Sequence, residues 1–159
     1  MDRELRENPR YVTSPLPLVM LVDPDRRVLQ GLEEALQGVA ATVSFDDFSA
    51  ARRSIGDLPV RLLVTNLRLQ AFNGLHLVHL AHTRPDKVQC VVYDGECELG
   101  LARIARETGA FYERFERLPA TLVSYVLLDL PAEDRRDPAR VDRRKAGRGG
   151  RRAADIRES

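Results

Sequence analysis

Three acidic side chains and one amide stand where short apolar runs give way to polar sequence, and these are the residues that could do chemistry. Asp23 and Asp25 follow Leu18–Val22, Asn66 closes Val60–Thr65, and Asp94 follows Val88–Tyr93. A carboxylate in such a place can hold a divalent cation through hard oxygen ligands or attack an electrophile. An amide can do neither as a charged group. Asn66 is therefore the residue on which the chemistry of the chain turns. Three histidines, His76, His79 and His82, recur at i, i+3, i+6. Neighbouring imidazoles at that spacing can bind a transition metal, but no carboxylate or cysteine stands beside them in sequence, so an exposed polar helix face is the expectation. Cys90 reads as a small buried hydrophobe. Cys97 opens a helix, where a thiol can be made more acidic, yet no histidine lies near it in sequence to make a catalytic pair.

The elements that must position these residues follow from hydropathy. Runs at Leu18–Asp23, Ala40–Ser44, Arg61–Thr65, Val88–Tyr93 and Ala110–Phe115 have the length of strands. Three of them are aliphatic without alternation, as strands covered on both faces of a parallel sheet must be. The runs at 40–44 and 110–115 are more polar and suit sheet edges. Helical spacing separates them, with Val28, Leu32 and Leu36 in the first helix and Leu101, Ile104, Ala105 and Thr108 in the fourth. Asp46 and Asp47 can cap the second helix, Asn73 the third, and Pro119 suits the first turn of the fifth. In the fifth helix Val123, Val126, Leu127 and Leu130 form a stripe expected to face the sheet. Tyr125 and Leu128 then point the opposite way, and with Tyr112 they form a candidate interaction surface. Five strand–helix units in succession specify a doubly wound α/β sandwich, whose functional crevice lies at the carboxyl ends of the strands.

Composition bounds the rest. The chain has 159 residues and a net charge of +1, one domain's worth of sequence with no global attraction to polyanions. Residues 131–159 hold ten Lys/Arg against six Asp/Glu, so the basic excess is there and the first 130 residues are net acidic. Residues 1–16 read as a flexible leader, 17–130 as the folded domain, and 131–159 as a disordered charged tail too poor in apolar residues to fold. That tail could neutralise nucleic-acid phosphates. It lacks the aromatic platforms that single-strand binders use, and nucleic acid is not the expected partner. No apolar run approaches the roughly 18 residues of a membrane helix. Two unpaired cysteines without a signal sequence suit a reducing compartment, so the expectation is a cytoplasmic protein with no membrane association.

Three segments carry a family resemblance. Leu18-Val19-Met20-Leu21-Val22-Asp23-Pro24-Asp25 resembles the first strand and acidic loop of bacterial response-regulator receiver domains. Thr65-Asn66-Leu67-Arg68-Leu69, with Asn73-Gly74-Leu75 behind it, resembles their phospho-acceptor segment. Glu107-Thr108-Gly109-Ala110 resembles their turn before the fifth strand. Over residues 17–130 the resemblance implies a five-stranded parallel sheet of order 2-1-3-4-5 with five helices, the strand order of chemotaxis receivers.

The resemblance also implies a chemistry that this chain has altered. Receivers phosphorylate an aspartate beside Mg²⁺ and read the product with a hydroxyl and a lysine. Here Asn66 stands at the acceptor position, and Pro24 replaces a metal-binding carboxylate. Two missing charges at a small site, each worth roughly 4 kcal/mol at about 4 Å in an effective dielectric near 20, imply weak or absent Mg²⁺ binding. Asp23, Asp25 and Asp94 are either a residual acidic pocket or ordinary helix-start and loop carboxylates. The threonine position falls on Asp94 or Tyr93, the lysine position on Phe115 or Glu116, and Gln70 replaces a usual proline. At the threonine position Asp94 would aim a fixed negative charge at Asn66 and partly imitate a phosphoryl group. The expected function is a degenerate receiver acting by protein–protein interaction, not as an enzyme, with no cofactor. Its partner would be a histidine kinase, another regulator or a second copy, docked on the fourth helix, fifth strand and fifth helix. Two alternatives remain: a phosphorelay receiver modified on another carboxylate, and a nucleic-acid tether working through the basic tail.

Overall fold

The computed structural model describes residues 15–96 and 98–128. Cys97, Leu130, the charged tail and all but the last two residues of the leader expected over 1–16 lie outside those residues. Five strands, β1 (Leu18–Val22), β2 (Ala41–Phe45), β3 (Val60–Asn66), β6 (Gln89–Asp94) and β7 (Phe111–Arg114), form one parallel sheet in the order β2-β1-β3-β6-β7. Counting only these five, the order is the expected 2-1-3-4-5. Between β3 and the third helix lies a two-stranded antiparallel ribbon, β4 (Arg68–Leu69) and β5 (Phe72–Asn73), which the sequence reading did not include.

The aliphatic runs are strands because both faces of the sheet are covered. Along β1, Met20 and Val22 face one core with Leu63 of β3 and Cys90 and Val92 of β6. Val19 and Leu21 face the other with Leu62, Val64, Val91 and Tyr93. The first core is closed by helices α2 (Phe48–Ile55), α3 (Leu75–His82) and α4 (Leu99–Glu107), the second by α1 (Arg26–Leu36) and α5 (Leu118–Leu127). Burial raises the Cys90 thiol pKa to about 12, so it stays protonated and inert as the reading of a buried hydrophobe requires.

Helix starts follow local chemistry. Asp25 caps α1 by accepting from the Arg27 N–H, and Asp47 caps α2 by accepting from the Ala50 N–H. Asp46 does not cap α2; it pairs with Arg26 at 2.6 Å. Asn73 Oδ1 accepts from the Leu75 N–H at 2.9 Å, and Pro119 lies in the first turn of α5. In α1 the buried residues are Leu29, Leu32 and Leu36, and Val28 lies at the edge of the core.

Two helix faces depart from expectation. In α4 Ala102 and Ala105 are buried and Leu101 packs partly buried on the core, as expected of Leu101 and Ala105, whereas Ile104 is 45% exposed; the helix meets the sheet on its small side chains. In α5 the inward stripe is Leu118, Leu122, Tyr125 and Val126, a run of i, i+4, i+7, i+8. The earlier stripe took Leu127 as inward and Tyr125 as outward, because it started five residues late. Leu127 is 68% exposed, whereas Tyr125 is 9% exposed and packs edge-on against Phe111 at 5.6 Å. Tyr125 is thus no part of an exposed surface. Tyr112 is half-buried and Leu128 is exposed.

Candidate functional site at the mouth of the sheet

The polar strand ends meet where strand order reverses, between β1 and β3. Asp23 follows β1, Asn66 ends β3 opposite Tyr93 of β6, and Asp94 ends β6. The Asp23 side chain is the hub. Its Oδ1 accepts from the Asp25 N–H at 2.7 Å, and its Oδ2 accepts from the Asn66 Nδ2 at 3.0 Å and from the Tyr93 hydroxyl at 2.6 Å. The other end of the Asn66 amide, Oδ1, accepts from the Arg68 N–H at 2.9 Å. Both ends of the amide therefore have partners of the right kind, which fixes its orientation.

Backbone packing sets Asn66 in place from behind. A β-carbon at Gly74 would lie 2.3 Å from the Asn66 carbonyl oxygen and 2.9 Å from Thr65 Oγ1. Only glycine fits there. The Gly74 N–H donates to the Leu67 carbonyl at 3.0 Å, and the Leu67 N–H to the Tyr93 carbonyl at 2.9 Å, so the β3 end is tied to β6 and to the turn before α3.

Tyr93 is buried, and its phenol ionises far above the usual range. Burial is the first cause; the Asp23 charge and the hydrogen bond to it follow. It remains a neutral donor. Its ring also lies 5.9 Å from that of Phe115, one of the two residues expected at the lysine position.

Asp94 belongs to a second cluster. Its Oδ1 accepts from Arg68 Nε at 3.3 Å and from the Glu96 N–H at 3.1 Å, and Arg68 Nη2 lies 3.0 Å from both Glu96 and Glu98. The Arg68 guanidinium is held still more firmly protonated, first by its hydrogen bond to Asp94 and then by the surrounding charges. The Asp94 side chain is 1% exposed and its Oδ2 has no hydrogen bond within the described residues. Its charge is directed to Arg68, while the Asn66 amide is engaged by Asp23. Asp25, exposed, works as a helix cap. Sequence reasoning weighed Tyr93 only as a threonine substitute and missed Arg68 altogether; a tyrosine closing an aliphatic strand was the available signal for the first.

The residues present do not fit the Mg²⁺ site of a receiver. Both Asp23 oxygens are taken by donors, Pro24 brings no carboxylate, and Asn66 turns an N–H toward Asp23. Among the described residues no group of three or more His, Cys, Asp or Glu is placed to hold a metal ion. His76 and His79 are exposed and His82 is half-buried. No helix among the described residues is long and apolar enough to cross a membrane.

No protein-family model matches the chain, and no curated protein does. Solved structures do. A receiver domain protein of Methanospirillum hungatei JF-1 superposes with a TM-score of 0.63 at 18% identity, covering 70% of this chain and 90% of that one. The signal receiver domain of an HD domain-containing protein from Pseudomonas fluorescens Pf-5 gives 0.63 at 19%, covering 75% and 93%. The response regulator DrrB of Thermotoga maritima, an OmpR/PhoB homolog, gives 0.60 at 15%, covering 69% of this chain; this chain spans only 50% of that regulator. Strand order, helix placement and these superpositions agree that the chain has the fold of response-regulator receiver domains.

Proposed function

We propose that this chain is a receiver-fold module of two-component signal transduction that works without aspartyl phosphorylation, in the cytoplasm, by binding another protein. The observation that carries the reading is the hydrogen bond from the Asn66 amide to Asp23 Oδ2. At the strand end where a receiver presents its nucleophile, this chain presents a hydrogen-bond donor, and an amide cannot form an acyl phosphate. Mg²⁺ has no role in this reading, since the carboxylate it would need is already satisfied. The partner is a histidine kinase, another regulator or a second copy. The exposed aliphatic side chains on α4 and at the end of α5 are Leu99, Ile104, Leu127 and Leu128, and Tyr112 of β7 is half-buried.

The test is incubation of the full chain with Mg²⁺ and a small acyl phosphate, followed by intact-mass measurement. An unchanged mass is the expected result. A stable phosphoryl adduct that disappears in Asp25→Asn or Asp94→Asn would establish the rival reading of a receiver modified on another carboxylate.

A further inference from the structure

Asp23 is 2% exposed, and no arginine or lysine among the described residues pairs with it. A buried carboxylate without a cation needs strong donors to offset its lost hydration. Three donors supply that need here, and the Tyr93 contact at 2.6 Å lies in the range of charge-assisted O–H···O⁻ bonds. The phenol is kept protonated by its burial and by the carboxylate it faces. The three donors come from different places: the Asp25 N–H from the loop after β1, the Asn66 amide from the end of β3, and the Tyr93 hydroxyl from β6. One carboxylate thus ties together three adjacent strands at the end where the fold binds ligands.

We infer that the Tyr93 hydroxyl and the Asn66 amide are permanent ligands of Asp23 that stand in for a divalent cation. Together they close the site to metal and hold the β1, β3 and β6 ends in one arrangement. The inference rests on the functional reading above, in taking position 66 as a donor and not an acceptor of phosphoryl groups. It adds that the mouth of the sheet has a fixed shape, so whatever recognises this module meets the same surface with or without divalent ions. Tyr93 is on this account a positioning residue, because it acts through Asp23.

Tyr93→Phe tests it in the full chain, since the ring and its packing on Phe115 stay and only the hydroxyl goes. A lost hydrogen bond to a buried charged acceptor should lower the folding equilibrium constant by roughly 10- to 100-fold, read from urea unfolding. The freed oxygen should also admit a cation. Titration with Mn²⁺ should broaden the backbone NMR signals of residues 23 and 66 in Tyr93→Phe at concentrations about tenfold or more below those that affect the parent chain. Both effects are required, and the absence of either overturns the inference. Stability loss alone would make the hydroxyl a structural bond and nothing more.

Should Tyr93→Phe fail to fold, the parent chain decides. Its signals at residues 23, 66 and 93 should not move in millimolar Mg²⁺, and a saturable shift there would overturn the inference. A phosphoryl adduct in the acyl phosphate experiment would sink the functional reading while leaving the effects of Tyr93→Phe standing, so the two failures are distinguishable.

Discussion

Gln70 carries the only left-handed backbone at a non-glycine residue among the described residues, with φ 56°. It is the first of two loop residues joining β4 to β5. A positive φ at that position alone matches a type II′ turn, which favours glycine there. The family resemblance puts a proline at this position, and the backbone shows why none stands here: proline fixes φ near −65°. Left-handed geometry costs an L-residue roughly 1–2 kcal/mol, and glycine's greater loss of backbone freedom returns about 0.5–1 kcal/mol of that. Gln70→Gly is therefore expected to stabilise the fold by roughly 0–1.5 kcal/mol, and Gln70→Pro to destabilise it by opening the ribbon. Urea midpoints at unchanged slope check both; a Gln70→Pro chain as stable as the parent would remove the turn assignment.

Between elements, Arg68 is the piece that joins the ribbon to the loop before α4. Its guanidinium meets Asp94, Glu96 and Glu98 while staying 47% exposed, and Asp94 beneath it is 1% exposed. Arg68→Ala should lower the urea midpoint, because it leaves a buried carboxylate without its cation. Glu96→Gln with Glu98→Gln should leave stability almost unchanged, since those carboxylates are solvated. Equal effects from the two variants would show that Asp94 does not depend on Arg68. Arg68 also marks where local sequence stops being readable. The strands were legible because burial on both faces writes itself as an unbroken aliphatic run, as in Leu62–Val64 and Cys90–Val92. The Asn66 and Asp23 positions were legible because polar residues ending such runs must lie at strand ends. The bonds between them were not: Asn66 and Tyr93 reach Asp23 across 43 and 70 positions of chain, and no periodicity records a contact of that span. The ribbon strands are two residues each, too short to show alternation. The α5 face was misjudged because its apolar stripe begins at Leu118, ahead of Pro119.

For the molecule as a whole, the question is what its outer surface is for once the mouth is sealed. α4 turns Ala102, Ala105 and in part Leu101 inward, and leaves two aliphatic side chains outside: Leu99 is 81% exposed and Ile104 45%. Leu128, beyond α5, is 53% exposed. A near-neutral chain does little to oppose self-association by charge, although these residues alone cannot fill the roughly 1,000 Å² that a stable interface buries. Arg103 and Glu107 of α4 pair with each other at 2.9 Å across exposed side chains, and helical spacing puts them between Leu99 and Ile104, so the apolar surface is broken by charge and any contact through it is weak. Self-association through this side is accordingly expected, weak and dependent on concentration. Ile104→Glu should shift sedimentation-velocity profiles to the monomer while leaving the urea midpoint of the dilute chain within about 0.5 kcal/mol of the parent, as surface substitutions do. A parent chain that sediments as a monomer at every concentration would remove the second copy from the possible partners. The same variant would then be tried against a kinase or regulator, where loss of binding at unchanged stability is the outcome that keeps the α4 side as the recognition surface.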